Sequence, residues 1–167
     1  MKTVKIKQLS REAFYKYGSY AMLIDPLNEV ATGPKDAGCV FFRDMLQQDL
    51  GGEPPSYSTC RIQYRPMVIT DAEFHNHTCE VAMPLDQDAV FWVAPAGVGE
   101  TLPVDDVEAF LVPKGCVISL RPGVWHHAAF ATEARPVNVM IVLPERAYLN
   151  DIFCISVPAE EQIKLEF

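Results

Sequence analysis

Four histidines are the whole imidazole inventory of this 167-residue chain, and they fall in two pairs. His75 and His77 stand in the hexapeptide His-Asn-His-Thr-Cys-Glu, and His126 and His127 stand together in Arg-Pro-Gly-Val-Trp-His-His. Imidazole is the side chain that ligates transition metals and exchanges protons near neutral pH. On a strand, residues i and i+2 share a face, so an H-x-H pair at a strand end aims both rings one way, and Glu80 adds a carboxylate just beyond. The same parity puts Cys79 with the histidines and turns Glu80 away, unless a turn re-aims the chain. Three completions of the ligand set are open: Glu80 after a bulge, the Cys79 thiolate, or water. Glu80 is favoured. Imidazoles with one carboxylate suit Ni, Mn, Zn or Fe and do not choose among them.

The elements that must position these groups read as strands. Ser10 can cap a short helix in Leu-Ser-Arg-Glu-Ala-Phe-Tyr-Lys-Tyr-Gly, with Glu12 in its first turn and Gly18 closing it. The stretch from there to Pro55 is ambiguous, and Val-Phe-Phe-Arg-Asp-Met-Leu (40–46) fits helix or strand by period alone. Beyond it come short apolar runs broken by Pro, Gly and Asp, at 60–69, 80–85, 89–96, 107–113, 116–123, 126–131, 137–144 and 152–157. Runs of this length, rich in Val, Ile and Phe, predict an antiparallel sandwich or barrel. Thirteen prolines and nine glycines agree, since both interrupt long helices. The expectation is one all-β domain over residues 1–167 with a short N-terminal helix.

Composition sets the partners. A net charge of −8 argues against nucleic acid or an anionic membrane surface, both of which demand a basic face. No apolar run approaches the ~20 residues that span a bilayer, and Met-Lys-Thr-Val-Lys-Ile-Lys lacks the apolar core of a signal peptide. Five cysteines without a C-x-x-C pair fit reduced thiols, so a cytoplasmic location is expected. Trp92 and Trp125 are expected in the core.

The two histidine segments resemble the paired metal motifs of the cupin superfamily: H-x-H followed by Glu, then Gly…Pro-x-Gly-x-x-His. Gly115, Gly123 and His126 fall on the second motif, with Arg121 where Pro is usual. The resemblance implies a cupin-type double-stranded β-helix, a small barrel or jelly roll, with His75, His77, Glu80 and His126 around one divalent metal ion. Motif position selects His126 over His127, which then packs beneath the sheet or at a subunit interface.

A closer resemblance covers nearly the whole chain. Leu-Ser-Arg-Glu-Ala-Phe-Tyr-Lys-Tyr-Gly-Ser-Tyr, Arg121-x-x-Trp125-His126-His127 and the closing Ser-Val-Pro-Ala-Glu-Glu-Gln-Ile-Lys-Leu-Glu-Phe are similar to the ureidoglycolate lyase family, formerly called ureidoglycolate hydrolase. Leu120, Arg43 and the Leu143–Asp151 stretch depart from that family's pattern. The resemblance implies a homodimeric carbon–nitrogen lyase of the amidine-lyase type that releases urea from ureidoglycolate and leaves glyoxylate, in purine and allantoin breakdown. Its small carboxylate substrate would be clamped bidentately by Arg61 or Arg121, and Glu80, if not a ligand, would carry protons. Two other readings stand beside it: another metal-dependent cupin enzyme acting on a small hydroxy or oxo acid, and a non-enzymatic cupin that binds such an acid.

Overall fold

Most of the short apolar runs become strands. A computed structural model describes residues 1–24, 26 and 38–167. In chain order its strands are β1 (Lys2–Gln8), β2 (Gly18–Met22), β3 (Pro55–Ile62), β4 (Val68–Ile69), β5 (Asp71–Phe74), β6 (Glu80–Pro84) and β7 (Ala89–Val93). They continue with β8 (Glu108–Val112), β9 (Cys116–Leu120), β10 (Phe130–Ala131), β11 (Val137–Pro144), β12 (Phe153–Ser156) and β13 (Ile163–Glu166). Two one-turn helices, α1 (Arg11–Phe14) and α2 (Ala147–Asn150), interrupt them. No helix among the described residues is long and apolar enough to cross a membrane.

The fold is all-β and barrel-like, as expected. One curled sheet has the order β10-β7-β8-β1-β13-β4, the other β2-β9-β6-β11-β3, and β5 pairs with β12 beside them. Alternation divides the side chains among three apolar layers. Ala89, Phe91 and Val93 of β7 join Ile118 and Leu120 of β9 and Val137 and Val139 of β11 between the two large sheets. Val90 and Trp92 point the other way, toward Phe74, Trp125 and Ile163. Val81, Val117 and Val142 form a third layer, covered by Met45 and Leu46. Both tryptophans are buried.

Three local expectations are revised. Pairing is not purely antiparallel, because β1 runs parallel to both β8 and β13. Ser10 does cap α1, accepting from the Ala13 amide at 3.2 Å, but Gly18 opens β2 and does not end the helix. A Cβ at Gly18 would lie 1.8 Å from the Ser119 carbonyl oxygen, so the missing side chain lets β2 lie against β9. The 40–46 stretch is neither helix nor strand.

Candidate active site

The two histidine segments are stitched together through their backbones. β5 stops at Phe74, and the chain bends through residues 76–78 before β6 starts at Glu80. Glu73 and His126 exchange a reciprocal pair of N–H···O bonds of 2.8 and 2.9 Å, and the Gly123 amide donates to the His75 carbonyl at 2.6 Å. Gly123 turns with φ +78°, in the region that favours glycine. Trp125 locks the second segment, packing edge-on against Phe74 with ring centroids 4.6 Å apart.

This stitching brings His75, Glu80 and His126 together, all three buried, with their ligand atoms within 4.8 Å of one another. Glu80 Oε2 lies 3.1 Å from His75 Nε2 and 3.2 Å from His126 Nε2. Each ring's other nitrogen is committed to a backbone carbonyl: His126 Nδ1 donates to Val124 O at 2.8 Å, and His75 Nδ1 donates to Asp151 O. Such outer bonds fix a ligating imidazole's tautomer and leave the Nε2 lone pair for an ion. The spacing fits as well, since two donors about 2.1 Å from one ion, seen from it at a right to tetrahedral angle, lie about 3.0–3.4 Å apart. The residues present fit a divalent metal.

Charge is arranged around that carboxylate. Burial opposes ionisation of Glu80, yet the two imidazoles outweigh it and hold its pKa down at about 2. Burial likewise disfavours a charged His126, but Glu80, with help from Glu73 and the Val124 carbonyl, pushes it up to about 9. His75 moves upward too, Glu80 and the Asp151 carbonyl overcoming its burial. Metal-free, the cluster holds a carboxylate between proton-hungry rings. An ion would displace those protons.

The cluster opens into a cavity of about 110 Å³ between the sheets. Its polar wall adds Glu73, His127, Cys60 and Tyr148, and its apolar wall includes Phe91 and Leu120. None of the described residues lining it is Arg or Lys. His126 on this wall is already paired with Glu80, and Glu73 adds a second carboxylate, so the cavity makes a poor receptor for an anion until positive charge is added.

Sequence parity misplaces several side chains, each for a local reason. His77 does not join His75, because the strand has already ended; it is exposed, with Nδ1 3.0 Å from Asp151 Oδ1. The same bend re-aims Glu80 inward and leaves Cys79 out of the cluster, in a groove on the other face of β9 with Arg121. Arg61 alternates outward on β3, opposite in sense to the cavity-lining Cys60 and Ile62, and donates to Asn138. Arg121 donates to the Tyr15 carbonyl and lies 4.9 Å over the Tyr15 ring, tying β9 to the end of α1. Neither arginine reaches the cavity. His127 lines the cavity beside His126, not the underside of the sheet, since residues 127–129 leave strand geometry. Glu73, Tyr148 and Asp151 were not anticipated. Glu73 was within reach, standing two residues before His75, whereas Tyr148 and Asp151 are delivered by α2 and its end from far along the chain.

A family model described as Ureidoglycolate lyase matches residues 1–165. The chain belongs to the ureidoglycolate lyase family. A ureidoglycolate lyase of Burkholderia cepacia is 30% identical over 172 aligned positions, covering 98% of this chain and 90% of that protein. A putative ureidoglycolate lyase of Agrobacterium fabrum is 28% identical over 128 positions, covering 76% of this chain and 74% of its own. Among solved structures, Bacillus subtilis oxalate decarboxylase aligns at 12% identity with a TM-score of 0.45, over 65% of this chain. A formate complex of Lactobacillus farciminis oxalate decarboxylase aligns at 14% identity and a TM-score of 0.43, over 66% of this chain. This chain spans 26% and 30% of those two longer proteins. The ureidoglycolate lyase match takes in His75, Glu80 and His126 with both walls of the cavity.

Proposed function

We propose that this protein cleaves ureidoglycolate to glyoxylate and urea, a carbon–nitrogen lyase of the amidine-lyase type, with His75, Glu80 and His126 as the ligands of a divalent ion. One observation carries the reading: in a member of this family, three metal-competent side chains converge at 3.1 and 3.2 Å, and two of them, Glu80 and His126, stand in the wall of a cavity that also carries Glu73 and Tyr148. The small carboxylate substrate expected from the sequence is retained. The clamping roles expected of Arg61 and Arg121 are not.

The substrate is a hemiaminal, one carbon bearing hydroxyl, carboxylate and the urea nitrogen. Cleavage breaks the C–N bond and turns the C–O bond into a carbonyl; the hydroxyl gives up its proton and the leaving nitrogen takes one. When bound, a divalent ion supplies the positive charge and Lewis acidity that a carboxylate-bearing hydroxyl calls for in a site with two acidic side chains. Glu80 is held ionised, so it orients the imidazoles and does not donate a proton. Tyr148 reaches the cavity from α2, and its pKa is raised, first by burial and then by the nearby Glu80 charge. It therefore keeps its proton at neutral pH and offers it to the departing nitrogen, while Glu73 on the same wall accepts from the hydroxyl. General acid–base help of this kind is worth about 10²–10⁴-fold.

The test is urea release from (S)-ureidoglycolate by purified protein, chelator-treated and then metal-restored, beside His126→Ala. Turnover should vanish with chelator, return with metal, and stay absent in the variant. Turnover that survives both chelation and the substitution removes the metal and His126 from the account. A homodimer in the cytoplasm belongs to the same reading, with mass by light scattering as its check.

A further inference from the structure

His77 is a conspicuous imidazole left outside the cluster, and its partner shows what it does there. Asp151 closes α2, donating its own amide to Ala147 O at 2.9 Å. Its carboxylate then takes the whole 76–78 bend: Oδ1 accepts from the Asn76 amide at 2.8 Å and from His77 Nδ1 at 3.0 Å, and Oδ2 accepts from the His77 amide at 2.9 Å. Thr78 Oγ1 adds a long contact of 3.5 Å. The carboxyl side chain is 12% exposed, against 80% for His77. Meanwhile the Asp151 main-chain carbonyl, freed because the helix has ended, accepts from His75 Nδ1. One residue thus grips the bend that separates His75 from Glu80 and also selects the His75 tautomer.

We infer that Asp151 is a positioning residue for the metal site, acting through His75 and the 76–78 bend, with His77 as the outer half of its clip and not a ligand. This inference rests on the reading of His75, Glu80 and His126 as a metal centre. The bend makes no strand pairing of its own; pairing of β6 with β9 holds Glu80 opposite Leu120, but it does not reach residues 76–78, which set where His75 stands relative to it. Loss of the carboxylate frees two amides and a ring, and the bend can then shift His75 relative to Glu80. Outer-shell partners of this kind are worth about 10–100-fold in metal affinity. The nearest alternative role, a purely structural helix stop, would leave metal affinity unchanged.

The experiment titrates metal-free, full-length protein with Co(II), following the visible absorption of the bound ion, for wild type, Asp151→Ala, Asp151→Asn and His77→Gln. Asp151→Ala should weaken Co(II) binding by about 10–100-fold and shift the absorption bands, and Asp151→Asn, which keeps one acceptor, should fall between it and wild type. His77→Gln should keep the wild-type spectrum and bind within about threefold, because the two amide bonds to Asp151 remain. Wild-type affinity in Asp151→Ala overturns the inference, and so does loss of the spectrum in His77→Gln, which would make His77 a ligand. If Asp151→Ala does not fold, ring ¹⁵N shifts of His75 in Zn(II)-loaded wild type decide, with Nδ1 protonated as expected and Nε2 protonated as the contrary result. Failure of wild type to take up any cobalt counts against the metal reading itself. Asp151 is then judged in metal-free protein, where slow exchange of the His75 Nδ1 proton and the Asn76 and His77 amides supports the clip and fast exchange overturns it.

Discussion

Replacing Glu80 with Gln in the metal-free protein keeps the shape of the buried cluster and removes its only negative charge. Two imidazoles then face one neutral amide. The structure sets the scale: Glu80 is the largest influence raising His126 from 6.5 to about 9 against its burial, and at about 1.36 kcal/mol per pKa unit that displacement is about 3 kcal/mol. Removing one partner of a buried ion pair costs about 3–5 kcal/mol in general, so the scale is consistent. For a chain of this size it corresponds to a fall of about 6–12 °C in Tm.

The pH dependence has a definite sign. His126 is raised in the folded state, so its contribution is fully present below 6.5 and is lost as pH rises through about 9. Glu80 is depressed, so its contribution is present above 4.5 and is lost as pH falls through about 2. The difference between wild type and Glu80→Gln should therefore be greatest between pH 4.5 and 6.5 and shrink toward pH 10. Calorimetry with chelator present, at pH 6 and pH 10, measures it. Equal differences at the two pH values, or a variant more stable than wild type at pH 6, would refute the charge arrangement described.

Three further outcomes follow from other parts of the molecule. Gly18→Ala puts a methyl group 1.8 Å from the Ser119 carbonyl oxygen, so β2 must shift off β9; urea denaturation should show a loss of at least about 1–3 kcal/mol, and an unchanged midpoint would contradict the close approach. Tyr148→Phe should lower kcat for urea release by about 10²-fold with little change in Tm, since the side chain is half exposed; undiminished turnover would remove Tyr148 as proton donor. Glu108→Gln should lower Tm at pH 7, because burial of Glu108 is outweighed by Lys16, Lys7 and Tyr17, which hold its pKa at about 2. That contribution is present above 4.5 and lost as pH falls through about 2, so the Tm gap should close across that interval, and a constant gap would contradict it.

What could be read from the chain was what depends on neighbours in sequence. Runs such as Ala89–Val93 and Val137–Pro144 announce strands by composition, and Ser10 announces a cap. β1 escapes a reading by neighbours because its partners are β8 and β13, more than a hundred residues away, and its alternating lysines keep it from standing out as an apolar run. The strand that leads into His75 has no apolar run to mark its extent, because Asp71–Phe74 is four residues with two charges. In the site, His75 and His126 were legible as a motif, but Glu80 hung on a parity that a strand end cancels. The bend at 76–78 is held by Asp151, from a part of the chain whose pattern gave no hint of it. Periodicity makes His77 a ligand for the same reason: it assumes a continuing strand, and only the tertiary contact shows where the strand stops. Arg61 is the converse case, since outward alternation on β3 was available once the strand boundaries were known.

The most direct measurement is anomalous diffraction at the metal edge from crystals of protein purified with a divalent ion and freed of excess. One peak is expected about 2.0–2.2 Å from His75 Nε2, His126 Nε2 and a Glu80 carboxylate oxygen, with His77 still on Asp151. A peak on His77, or none in the cavity from protein that turns over ureidoglycolate, would contradict it.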